Sequence, residues 1–137
     1  MVMKNRKKIL IISLTLLASF TSAAETVTKG MKKVIDDALD FSVKQSMSMF
    51  YEMKDQKGIL PRTAENGKMI TCESAWWTSG FYPGTLWYCY EYSNDPQIRA
   101  AAEEMTSRVE KQKYTTSNHD VGFIINCSFG NGYRLTH

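Results

Sequence analysis

"WWTSGFYPGTLWYCYEYSND", Trp76 to Asp95, decides the fold. Proline is well tolerated in the first turn of a helix, so a helix is expected to begin near Pro83. From there Leu86, Trp87, Tyr88, Cys89, Tyr90 and Tyr92 leave Glu91 as nearly the only polar side chain. A helix that is apolar on every face belongs in an interior. The later stretch "TTSNHDVGFIINCSFGNG", Thr115 to Gly132, has the same character, and Gly130 and Gly132 are expected to stop it. Its head, however, carries two titratable groups, His119 and Asp120.

Each apolar helix follows an amphipathic one. From about Thr28 to Lys54, Met31, Val34, Ile35, Ala38 and Phe41 recur at helical spacing, and Lys32, Lys33, Asp36, Asp37, Asp40 and Lys44 occupy the rest. In "NDPQIRAAAEEMTSRVEKQK", Asp95 can cap, Pro96 fits the first helical position, and Ile98, Ala101, Ala102, Met105 and Val109 form the stripe. Glu104 and Arg108 stand at i, i+4, the spacing of a helical ion pair. Residues 57–74 contain Pro61 and the turn signal Asn66-Gly67 with no clean periodicity, so they read as a loop; a hairpin is disfavoured because the flanking runs do not alternate. The order amphipathic, apolar, amphipathic, apolar predicts an all-α fold of stacked helical hairpins, outer helices facing water and inner helices facing one another. A plain four-helix bundle is the alternative, but two helices apolar all round are more than such a bundle hides.

The first 24 residues have another character. Lys4, Arg6, Lys7 and Lys8 precede the apolar run Ile9–Phe20, and small residues close it at Thr21–Ala24. This is the layout of an export signal cleaved after or near Ala24, too short for a membrane span, with no cysteine placed for a lipid anchor. The expected product, 25–137, is periplasmic or secreted. Of 17 basic and 14 acidic residues in the chain, four basic ones lie in this leader, which leaves 13 against 14 and a net charge of −1. No basic stripe favours nucleic acid. Cys72, Cys89 and Cys127 are an odd number without C-x-x-C spacing, and free thiols are expected. With only His119 and His137 as histidines, neither a metal nor another cofactor is expected.

If outer and inner helices alternate, both inner helices run in the same direction and open at one end. Trp76, Trp77 and Phe81 lie just before one of them, and His119 and Asp120 head the other. Aromatic rings beside a carboxyl group suit carbohydrate chemistry, and helix N-termini suit an anion such as a uronate. Plainer readings stand beside these. Asp120 fits as an ordinary first-turn acid, although Asn118 could cap in its place; His119 fits as a structural histidine. The two tryptophans fit as core, and Glu91 fits as a wet edge or as half of an ion pair.

"WWTSGFYPGTLWYCYEYSND" followed by "HDVGFIINCSFGNGYRLT" resembles the start of glycoside hydrolase family 88, the unsaturated glucuronyl hydrolases. Trp77, Gly80, Phe81, Gly84, Leu86, Trp87, Tyr90 and Glu91 match its first block, His119, Asp120, Gly122 and Phe123 its second, and Arg134, Leu135 and Thr136 its third. The resemblance implies an (α/α)6 barrel with its site at one mouth. It also implies hydrolysis of oligosaccharides that polysaccharide lyases leave with a 4,5-unsaturated uronate at the non-reducing end. The vinyl ether is protonated at C4, water adds at C5, and the hemiketal collapses; because C1 is not attacked, the usual carboxylate-distance rule does not transfer. On this resemblance Asp120 is one of two essential aspartates, and His119 and Trp77 hold the unsaturated uronate.

Two features depart from that pattern. No acidic residue follows Asp120, so the second aspartate is absent, and only about two of six hairpins are present. The expectation is an N-terminal fragment, inactive alone. The alternatives are a secreted helical module that binds sugar or protein without catalysis, and a related unsaturated rhamnogalacturonyl hydrolase.

Overall fold

The structure, a computed structural model, describes residues 28–137; the leader lies outside them. The chain divides into two compact units, residues 1–33 and 34–137. Of the first, the described part is the opening of helix α1, where Thr28 Oγ1 accepts a hydrogen bond from the Met31 amide at 3.2 Å. α1 spans Lys29–Met53. Strands β1 (Ile59–Glu65) and β2 (Lys68–Glu73) follow, then α2 (Phe81–Ser93) and α3 (Pro96–Ser107). A 3-10 turn, Glu110–Tyr114, leads into a final helical run made of α4 (Val121–Ile125), one π-helical stretch (Asn126–Gly130) and α5 (Asn131–Thr136).

The helices follow the expected order, with three corrections. Residues 57–74 form an antiparallel hairpin, not a loop. Asn66 and Gly67, at φ 50° and 73°, make the two-residue turn whose twist suits paired strands. The alternation that would have announced the strands is broken by a bulge, because Pro61 pairs with Thr71 and Thr63 with Ile70, leaving Arg62 without a partner. Second, Gly130 and Gly132 do not stop the last helix, which runs on to Thr136. Ser128 hydroxyl donates to Ile124 O at 2.6 Å within the widened π turn, and Gly132 lies against the Trp87 indole, where a Cβ would meet Cζ2 at 2.9 Å. Third, the stripe on the early part of α1 is bare: Val34 and Phe41 are 63% exposed. Tyr92 hydroxyl donates to Asp40 carboxylate at 3.1 Å, so α2 ends alongside residue 40, short of that stripe.

Packing fixes the directions of the helices. Tyr82 hydroxyl donates to Ser46 O at 2.8 Å near the start of α2, and Tyr92 reaches Asp40 at its end, so α1 and α2 are antiparallel. Along α2, Gly80 faces Ile124, Gly84 faces Cys127 and Trp87 faces Gly132. Residue numbers rise together on the two helices, so the inner helices are parallel, as the alternation requires. Their approach is close enough that a Cβ on Gly84 would sit 2.7 Å from Cys127 O. Met53, Tyr82, Leu86, Trp87, Ala101, Ala102 and Met105 form the main core, and Leu60, Val109 and Ile124 a second one under the hairpin. The Trp87 indole N–H, buried within that core, is satisfied by Thr106 Oγ1 at 2.9 Å.

Two polar residues tie the layers together. Arg108, its side chain only 7% exposed, pairs with Glu104 at 2.7 Å as its spacing predicts. It also donates to the carbonyls of Met53, Lys54, Gln56 and Ile59. A cation thus closes the negative end of α1, where the last carbonyls have no helical partner. Buried Gln112 donates to Ser74 Oγ at 2.8 Å and accepts from Thr115 Oγ1 at 2.9 Å, while Ser79 Oγ donates to Ser74 O at 2.7 Å. Cys72, Cys89 and Cys127 are free thiols.

Candidate active site

Trp77 lies in the turn before α2, Phe81 is the first residue of α2, and Phe123 belongs to the first turn of α4. Since the inner helices are parallel, these positions come to one end. The three rings close a triangle of edge contacts, with centroids 5.7, 6.5 and 6.1 Å apart. None of them is core: Trp77 is 43%, Phe81 39% and Phe123 51% exposed. A half-exposed group of mutually braced rings presents apolar surface that water has not been paid to leave, which is what a sugar face needs.

Asp120 stands one turn before Phe123 and is joined to it through Phe123 N–H to Asp120 O at 2.9 Å. Its carboxylate does not cap the helix. Asn118 Oδ1 takes the local amide, that of Asp120 itself, at 2.9 Å. The capping reading of Asp120 therefore gives way: the acid, 24% exposed, keeps its oxygens for other partners. One of them lies 3.3 Å from His119 Nε2, and the His119 ring is 93% exposed. An exposed imidazole N–H held beside a half-sheltered carboxylate can act as a donor to an incoming anion while the carboxylate accepts from a hydroxyl or water.

The sequence reasoning thus named Asp120, His119 and Trp77, and Asp120 and His119 meet directly. Trp77 joins them through the ring cluster. What it did not single out is Phe123, although the i+3 spacing from Asp120 was there to read. It also missed Arg62, whose guanidinium lies over the Trp76 ring at 4.0 Å, because the hairpin that carries it was read as a loop. Glu91 is settled as half of an ion pair, both its oxygens accepting from Arg134 at 2.7 and 2.8 Å. That bidentate bond holds the Glu91 carboxyl below the usual carboxylate range. Among the described residues no group of His, Cys, Asp and Glu is placed to hold a metal ion.

Comparison with solved structures first defines the class. An unsaturated glucuronyl hydrolase specific for heparin superposes with a TM-score of 0.62 at 36% identity, over 74% of this chain and 28% of its own. A Streptococcus agalactiae unsaturated glucuronyl hydrolase variant, solved with dGlcA-GalNAc6S, superposes with a TM-score of 0.55 at 22% identity, over 83% and 30%. The fold is therefore part of an α/α barrel.

Curated relatives narrow the likeness to one kind of enzyme. The unsaturated glucuronyl hydrolase of Formosa agariphila is 45% identical over 58 residues, 42% of this chain and 14% of that protein. The unsaturated chondroitin disaccharide hydrolase of Streptococcus pyogenes serotype M1 is 35% identical over 95 residues, 66% and 23%. No family model matches the chain. The chain spans between 14% and 26% of the length of the curated relatives it matches, and over that span it is similar to unsaturated glucuronyl hydrolases.

Proposed function

We propose that this chain supplies part of the substrate mouth of an unsaturated glucuronyl hydrolase and that it is inactive by itself. The observation that carries the reading is the parallel pair of inner helices, which brings the free carboxylate of Asp120, the exposed imidazole of His119 and three half-exposed rings to one end. The likeness to hydrolases acting on unsaturated glucuronyl saccharides, one of them solved with dGlcA-GalNAc6S, supports the substrate class.

In this reading Trp77, Phe81 and Phe123 cover the apolar face of the unsaturated ring, and His119 Nε2–H points to its carboxylate. Asp120 orients the water or hydroxyl at the reacting carbons. Hydration requires a proton at C4 and water at C5, and the hemiketal then opens to release the rest of the saccharide. Asp120 is the one acid at this mouth, so a second group, from outside the described residues, completes the proton transfers.

The test is a chimera in which residues 28–137 replace the matching segment of the heparin-specific relative. Turnover of unsaturated disaccharide is expected in the chimera, and Asp120→Asn is expected to lower kcat by about 10²–10⁴-fold, the usual worth of an acid–base group. Full activity in the Asp120→Asn chimera would refute the assignment, as would turnover by the unaided chain. We infer further, from Lys4–Lys8 and the run Ile9–Phe20, that the chain is exported. Sequencing the N-terminus of the cellular product tests this, with Glu25 or a close neighbour expected first.

A further inference from the structure

A groove of about 680 Å³ lies between α1, the hairpin and the start of α2. From α1 it is lined by Gln45, Ser48, Met49 and Glu52, at i, i+3, i+4 and i+7. From the turn before α2 and its first turns it is lined by Thr78, Phe81, Tyr82 and Thr85, at the same spacing. Two helices presenting matched two-turn stripes, with hydroxyls and a methionine as their knobs, form the seat that a third helix packs into. The stripe on α2 lies half a turn round from Gly80 and Gly84, which hold the other inner helix. Thr78 Oγ1 is buried there and has no hydrogen-bond partner, a state that an incoming polar group would relieve.

We propose that this groove is the seam at which the barrel closes, and that its occupant is an inner helix from the barrel hairpins that the relatives possess beyond the segment matched here. The inference rests on the hydrolase reading above. In a ring of parallel inner helices each has two inner neighbours. α2 has one, along its glycine face; the opposite face is the groove. The chain covers 28% of the heparin-specific structure, so most of such a ring lies outside it. The occupant has an apolar stripe of about two turns and a polar side chain at the end that meets Thr78. A second groove, about 590 Å³, lies on the far flank between α3 and α5, lined by Ser107 and Tyr133 among others.

The test co-expresses the tagged chain with the part of the Formosa agariphila relative that follows its matched segment, and measures how much of that part is retained. The relative's own N-terminal segment is the reference. Ser48 and Thr85 are exposed, so tryptophan at either fills the groove without disturbing the core; helical circular dichroism of the free variants checks this. Retention is expected for the chain and is expected to fall at least tenfold for Ser48→Trp and Thr85→Trp. Equal retention by the variants would overturn the proposal, as would no retention where the reference retains its partner. So would variants that change only the self-association of the chain, since the occupant would then be a second copy. Turnover is not the readout: a retained but inactive complex would count against the hydrolase reading and leave the seam standing.

Discussion

Arg108 shows how much one side chain can organise. Five donors in a planar fork reach four carbonyls at the end of α1 and one carboxylate on its own helix. Arg108→Met keeps the stem and strands those carbonyls, so a loss of about 2–3 kcal/mol in urea unfolding is expected, the scale of a charged hydrogen-bond group removed from a sheltered place. Lysine should restore little, because a point charge cannot serve that fork. Gly84 is the opposite case, important for what it lacks. Alanine there would press on the Cys127 carbonyl, which is backbone and cannot swing aside. Gly84→Ala should therefore cost about 1–3 kcal/mol by thermal unfolding. Both residues sat in plain view in the sequence, yet only the i, i+4 partner of Arg108 was legible. Its four carbonyls are 49 to 55 positions away along the chain, and no local spacing records them.

Elements were read well where periodicity was strong and poorly where it was interrupted. α3 is what its sequence promises: Asp95 accepts from the Gln97 amide at 2.8 Å, Pro96 opens the helix, and the predicted stripe is buried. The hairpin was lost because the Arg62 bulge shifts the phase of one strand, although the turn residues that close it were recognised. At the mouth the acid and its histidine were legible as neighbours in sequence. The ring triangle was only half legible, because it depends on which helix face meets which. The bond between elements that best reports their docking is Glu91–Arg134, joining α2 to α5. Because folding lowers the pKa of Glu91, its contribution is present above the ordinary carboxylate range, about pH 4.3, and is lost as pH falls through the lower folded value. The urea midpoint of the chain should therefore exceed that of Glu91→Gln at pH 7 by an amount that disappears at strongly acidic pH.

For the molecule as a whole, burial raises the pKa of all three thiols and of the Tyr82 hydroxyl. Protons held more tightly when folded give stability that is fully present below the ordinary thiol value, about pH 8.5, and is lost as pH rises through the folded values. Alkaline titration should show the unfolding midpoint level to about pH 8.5 and falling beyond it. Replacing Cys89 by serine or alanine should flatten that fall, since its thiol lies in the core 3.8 Å from Ser46 Oγ.

The widened turn at Asn126–Gly130 has a consequence for how this chain tolerates insertions and deletions. A turn of that kind accommodates one more residue than an α-helix. Deleting one residue there would rotate everything after it by about 100° relative to everything before it. Asp120 and Phe123 would keep their places at the mouth, while Gly132 would leave the Trp87 indole and Arg134 would leave Glu91. The single surplus residue is therefore a phase-setter between two halves of one helix: the first is dialled to the saccharide end, and the second to the neighbour it must lock against.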